Sequence, residues 1–136
     1  MNKIELKSTL PFFWPILKWK FGYIDADFNK LALAFGRTIY SGKPMDKTVL
    51  HHELVHIIQQ KGSYFWGIIW WLRYLSSRNF RFFQEVAAYR EQYRFGKTII
   101  KDRNEINYFL SQLAQHLSGS IYNNMVDFRT AMDLIK

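Results

Sequence analysis

The chain has 136 residues, 49% of them apolar and 18% aromatic, with 22% charged and a formal net charge of +8. That is the size of one domain with enough apolar material for a packed core, which excludes disordered and low-complexity classes. With no cysteine, the chain has no disulfide framework, thiol nucleophile or cysteine-ligated metal site, so a metal centre would have to use His, Asp or Glu, while the positive charge admits an anionic partner without requiring one.

The first twenty residues resemble an export signal only superficially. Glu5 sits in the charged region, Pro11 and Pro15 interrupt the apolar stretch, and no small-residue cleavage site follows, so a cytoplasmic protein is expected. Strand-like pieces are predicted around Tyr23 to Ile24 and from Leu31 to Tyr40, where β-favouring residues alternate. Ser41-Gly42-Lys43-Pro44 signals a turn, and Asp46 is placed to cap a helix running to about Gln60, with Gly62 ending it. The apolar run from Tyr64 to Leu72 falls far short of the roughly 20 residues a membrane span needs. It is expected to be a buried or cleft-flanking segment, with contact to a membrane surface through Tyr64 to Leu75 as the alternative. A second helix is predicted from Ser77 or Asn79 to Phe95, closed by Gly96. A third begins near Asp102, with Glu105 at the capping-box position, and stops before Gly119; a last short one runs from Asp127 to Ile135. No repeat, charge block or linker divides the chain, so residues 1–136 are read as one α+β domain, a short antiparallel sheet packed on a mostly helical layer.

Three of the four histidines fall in Leu50-His51-His52-Glu53-Leu54-Val55-His56, which contains HExxH as His52-Glu53-Leu54-Val55-His56. On a helix, positions i and i+4 share a face, so the two imidazoles of His52 and His56 can reach one ion. Glu53 lies about 100° further round, beside such an ion, where it can deprotonate a metal-bound water. Leu50, Leu54, Ile57 and Ile58 are expected on the side away from the histidines, packing into the core while the histidines face a cleft. His51 shares its face with Val55 and Ile58 and is expected in the core or behind the metal ligands.

A catalytic zinc normally takes three protein ligands and leaves one position for water. No histidine follows in the HExxHxxGxxH pattern, which leaves Glu85, Glu91, Asp102, Glu105 and His116 as candidates. Glu85 is preferred because it is anionic and helix-borne, and Ala88, one turn on, would allow close approach to the histidine helix. The competing reading pairs Glu85 with Arg81 or Arg90 on a solvated face.

HExxH followed by a glutamate on a later helix resembles the gluzincin metallopeptidases. Phe35-Gly36-Arg37-Thr38-Ile39-Tyr40, followed by His52 through Gln60 with its Gln59-Gln60 pair, is more specifically similar to the small HExxHxxQQ domain associated with phage tails and contractile injection systems. The similarity covers about Ala32 to Gln92 and extends to the Leu117 to Tyr122 stretch. It implies a minimal zincin-like domain with the HExxH helix at the cleft, Zn2+ on His52, His56 and Glu85, and Glu53 as base. It also implies a strand near Ala32 to Tyr40 whose edge takes an extended peptide beside Ile39. A phage-encoded or virion-associated protein would fit this family.

Peptide hydrolysis also gains from a donor aimed at the developing oxyanion; Tyr89, His116 and Tyr122 are the available types, and Tyr89, one turn from Glu85, is the preferred one. The middle of the chain is basic, with Arg73, Arg78, Arg81, Arg90, Arg94, Lys97, Lys101 and Arg103 interleaved with aromatics. Helical spacing predicts aromatics inward and arginines in water, and no nucleic-acid-binding signature accompanies them, so nucleic acid is possible but not favoured. The reading is a zinc metallopeptidase acting on a peptide or protein substrate. The alternatives are a non-catalytic zinc-stabilised assembly module, and a basic protein contacting nucleic acid or membrane.

Overall fold

The computed structural model describes residues 3–21, 31–119 and 122–136. In chain order these form β1 (Glu5–Lys7), α1 (Trp14–Phe21), β2 (Ala32–Phe35), β3 (Thr38–Ser41), α2 (Lys47–Gln59), α3 (Tyr64–Ser76), α4 (Arg78–Ile99), α5 (Arg103–Leu117) and α6 (Phe128–Ile135). The class is α+β and mostly helical, as expected. The sheet is mixed rather than antiparallel. β3 is central, parallel to β1 with Leu6 opposite Ile39 and antiparallel to β2 with Ala34 opposite Ile39. The strand predicted around Tyr23 to Ile24 lies outside the described residues, as do positions 120 and 121 of the family-like stretch.

The segment from Leu31 to Tyr40, predicted as one strand, is a tight hairpin. Gly36 has φ +63° and Arg37 follows it, so the two-residue connection has a left-handed residue first, the arrangement that matches strand twist and selects glycine. The Tyr64 ring lies so close to Gly36 that a Cβ there would collide with it. Gln60, fully buried, ties this hairpin to the end of α2: Gly36 N donates to its Oε1 at 2.7 Å, and its Nε2 donates to Ala34 O at 3.0 Å.

Acidic and hydroxyl caps set the helix starts. Asp46 accepts from Thr48 N at 2.6 Å, Asp102 from Glu105 N at 2.9 Å and Asp127 from Thr130 N at 2.7 Å, each satisfying a backbone donor that a helix start leaves free. Ser77 ends α3 and caps α4 at once, so the two helices meet without a loop. α4 does not stop at Gly96. It continues to Ile99, and Gly96 instead admits the Phe109 ring of α5 against its backbone.

The apolar run from Tyr64 is a helix with two different sides. Trp70, Trp71 and Tyr74 join Phe13, Leu17, Phe35 and Tyr40 in an aromatic core, whereas Phe65, Ile68 and Leu72 remain exposed. A second core joins α4, α5 and α6 through residues such as Phe82, Leu110, Leu117 and Ile135. A small third one sets Ile57 of α2 against Ala34 and Ile39, with Leu50 and Leu54 beside it. Ile58, expected with them, is 75% exposed because the helix turns it one residue past the sheet. The expectation of arginines in water also fails at one place. Arg81 is buried, donating to Tyr74 O at 2.7 Å and to Asn123 Oδ1 at 2.7 Å, while Phe83 is exposed.

Candidate metal centre

His52, Glu53 and His56 lie on the buried side of α2, with potential ligand atoms all within 4.8 Å of one another. α4 packs across this face. Ala88 is fully buried there, as a close helix crossing requires, and Glu85 projects between the two imidazoles. Its Oε2 is 3.0 Å from His52 Nε2 and its Oε1 is 3.3 Å from His56 Nε2. The Tyr74 hydroxyl donates to Glu85 Oε1 at 2.7 Å. Glu85 is therefore not a solvated partner of Arg81 or Arg90.

Glutamine side chains hold the far nitrogens of both rings. His56 Nδ1 is 2.8 Å from Gln59 Oε1, and Gln59 Nε2 donates to Gln84 O at 3.1 Å. A backbone carbonyl accepts only, so Gln59 must present its oxygen to His56, which fixes the His56 proton on Nδ1. His52 Nδ1 lies 2.9 Å from Gln92 Oε1, and Gln92 Nε2 faces the Thr48 hydroxyl at 3.4 Å; with that amide orientation the His52 proton is also on Nδ1. In a neutral ring of this tautomer Nε2 is an acceptor, yet each Nε2 faces the Glu85 carboxylate, also an acceptor. Acceptors converging on one point need either extra protons or a cation between them. Two imidazoles and a carboxylate, with the distal nitrogens held by oxygen acceptors, are the donor set and supporting contacts of a zinc site. The residues present thus fit a divalent metal.

The electrostatics follow from the same arrangement. Burial opposes charge on Glu85, but the charge of His56 and hydrogen bonds from both histidines outweigh it and hold the carboxyl well below the usual carboxylate range. Burial likewise pulls His56 down, and is outweighed by the charge and hydrogen bond of Glu85, which lift it to about 9. For Glu53, burial is the largest influence and pushes the carboxyl up to about 7, opposed by His56 and His52 and reinforced by Glu85. Its Oε2 is buried with no hydrogen-bond partner among the described residues. A buried carboxylate oxygen left unpartnered is costly, and its usual explanation is a partner supplied by a ligand or water.

These residues line a cavity of about 730 Å³ bounded by β2, α1, the inner side of α3, α4 and α5. Tyr89 and Tyr122 both line it, are buried, and have hydroxyls 3.4 Å apart; burial raises both phenols, so both stay protonated. The Tyr89 ring meets the edge of His52, with centroids 4.6 Å apart. His116 lines the same cavity at its exposed rim, with its pKa lowered by partial burial and by His52. The other proposed third ligands are elsewhere. Glu91 pairs with Arg94 and His51, Asp102 caps α5, and Glu105 is exposed in its first turn. His51 points away from the metal face, as expected, but is half-buried rather than core, its ring stacked on Phe95 at 3.7 Å.

Sequence reasoning missed Tyr74, Gln92 and the job of Gln59. Gln92 is seven residues after Glu85, hence on the same helix face, a spacing that could have exposed it. Tyr74 lies in an apolar run and gave no polar signal. Its hydroxyl nevertheless donates to Glu85. Tyr74→Phe, which keeps the ring stacked on Trp70, is expected to lower divalent-metal affinity roughly 10- to 100-fold, as measured by competition with a chromogenic chelator.

No known protein family, curated protein or solved structure matches the chain.

Proposed function

We propose that the chain is a zinc-dependent peptidase, with His52, His56 and Glu85 holding the metal and Glu53 serving as general base. The observation that carries this reading is the buried Oε2 of Glu53, which has no hydrogen-bond partner among the described residues and belongs to the same cluster as the two histidines that face the Glu85 carboxylate. A purely structural metal site has no use for a spare base. Zinc held there would supply Lewis acidity toward a water and a peptide carbonyl.

The chain's own groups do the rest. Glu53 takes a proton from the attacking water on Oε2 and returns it to the leaving amine as the C–N bond breaks. The protonated hydroxyls of Tyr89 and Tyr122 and the ring of His116 are among the cavity donors available to a developing oxyanion. Gln59 and Gln92 keep the imidazoles oriented. A peptide would lie in the cavity beside Leu31 to Ala34 of the β2 edge rather than beside Ile39, which sits in the central strand with neighbours on both sides. Pairing along that edge is limited at Ala34, whose carbonyl already accepts from Gln60 Nε2 and from Trp71 Nε1 at 2.9 Å.

The test is elemental analysis of protein purified without added metal, followed by incubation with a peptide library and mass spectrometry. About one zinc per chain, and cleavage that stops on chelation and returns with zinc, is the expected result. A chain that takes up no zinc on titration overturns the reading. A stoichiometric zinc with no cleavage of any peptide leaves the assembly module in its place.

A further inference from the structure

We propose that the outer face of α3 docks the protein onto an anionic membrane surface. The inference is independent of the metal site. A helix that is apolar around its whole circumference normally has all its faces covered. α3 is such a helix, yet only its inner side is covered, by the aromatic core that holds Trp70, Trp71 and Tyr74. Its outer side presents Phe65 (65% exposed), Ile68 (52%) and Leu72 (64%) at spacings of three and four residues, which is one continuous stripe. Trp66 lies beside the stripe, with Lys61 Nζ 4.1 Å from its ring centroid.

Charge selects the occupant. From Ile58 to Ser77 the sequence contains Lys61 and Arg73 and no Asp or Glu. A second copy placed face to face on this helix would oppose like charges and gain no counter-charge. Nucleic acid would meet the cations but leave the apolar side chains of Ile68 and Leu72 without a partner. A bilayer carrying anionic headgroups satisfies both features, since the apolar stripe enters the acyl boundary while the cations meet phosphates. The aromatic content suits the same depth, where amphipathic rings concentrate.

α1 repeats the pattern. Ile16 and Trp19 are 55% and 83% exposed three residues apart, Phe12 in the turn before the helix is 73% exposed, Lys18 and Lys20 stand in the last turn, and the sequence has no acidic residue from Leu6 to Phe21. Leu17 of α1 and Phe13 just before it enter the same aromatic core as the inner side of α3. The docking is peripheral. No helix among the described residues is long and apolar enough to cross a membrane, and α3, about 20 Å long at 1.5 Å per residue, is too short for a hydrocarbon layer of about 30 Å. Trp70 and Trp71 on the inner side of α3 line the metal-site cavity, so docking through the outer side would hold that cavity close to the bilayer.

The test is co-sedimentation of the full chain with vesicles of phosphatidylcholine alone and of phosphatidylcholine with about one-third phosphatidylserine. Partitioning is expected to be at least tenfold stronger on the anionic vesicles. The triple variant Phe65→Ser, Ile68→Ser, Leu72→Ser is expected to lose about 100-fold in partitioning, and Lys61→Gln with Arg73→Gln roughly tenfold or more. All these side chains are substantially exposed, so circular dichroism should show the fold intact, and Tyr108→Ser on exposed α5 should partition as wild type. Equal partitioning on both vesicle types, or a triple variant that binds like wild type, overturns the proposal. So does an absence of vesicle binding together with a dimer in sedimentation equilibrium that the triple variant dissolves. Zinc content is read in the same samples, so a failure of docking is distinguished from a failure of the metal site.

Discussion

Glu53→Gln is expected to abolish peptide hydrolysis, by about 10³-fold or more, while leaving about one zinc per chain. The substitution keeps the size of the side chain and replaces a carboxylate by a neutral amide that cannot take up a proton. Because Glu53 Oε2 has no partner among the described residues, the change breaks no protein hydrogen bond there, and the fold should be unaffected or slightly stabilised. Burial holds the Glu53 carboxyl at a standing cost that a neutral amide does not carry. The measurement is a paired one, zinc stoichiometry by elemental analysis and turnover on the cleaved library peptide. It also separates the two carboxylates that compete for the role of third ligand. Glu53 clusters with His52 and His56 within 4.8 Å, and a Glu53→Gln protein that loses its zinc would make Glu53 the ligand and remove the base from the mechanism.

Much of this centre was legible in the sequence because its signal is local. His52, Glu53 and His56 sit within one and a half turns of one helix, and helical periodicity alone brings them to one face. The caps at Asp46, Asp102 and Asp127 were readable for the same reason, since a cap is a contact between near neighbours. Glu85 stands out among the candidates as a helix-borne carboxylate with Ala88 one turn on, but its contacts with two histidines 33 and 29 positions earlier are tertiary facts. Tyr74 was not reachable at all, since a tyrosine in YFWGIIWWLRYL reads as core and only the packing of α3 on α4 brings its hydroxyl to Glu85.

The errors have physical causes too. Gly36 lies between alternating residues that predict one continuous strand, although a glycine there also marks a two-residue hairpin. Gly96 was read as a helix stop, whereas α5 needs it small to seat Phe109. β1, parallel to the central strand, was missed because three exposed residues carry too little pattern to register. Gln60 shows the limit most plainly. It belongs to a motif visible in the sequence, yet its role, bridging Gly36 N and Ala34 O, depends on a hairpin that the sequence reading did not fold.

The second large effect is expected at Glu85. Glu85→Gln preserves volume and can still accept from Tyr74 through its amide oxygen, but it removes the anion that faces both imidazoles. Zinc affinity should fall by well over the 10- to 100-fold typical of losing a supporting partner. Glu85→Ala should lose more, since it also leaves a void and strands the buried Tyr74 hydroxyl. The stability consequence follows from mass action. A ligand at a thousand times its Kd stabilises the folded chain by about 4 kcal/mol, which for a domain of this size is a melting shift on the order of 10 °C. Differential scanning fluorimetry with and without zinc should show that shift for wild type and for Glu53→Gln, and little or none for Glu85→Gln. If Glu85→Gln binds zinc as tightly as wild type, the contacts of Glu85 with His52 and His56 are those of a buried ion cluster alone, and the third ligand must be sought at Glu53.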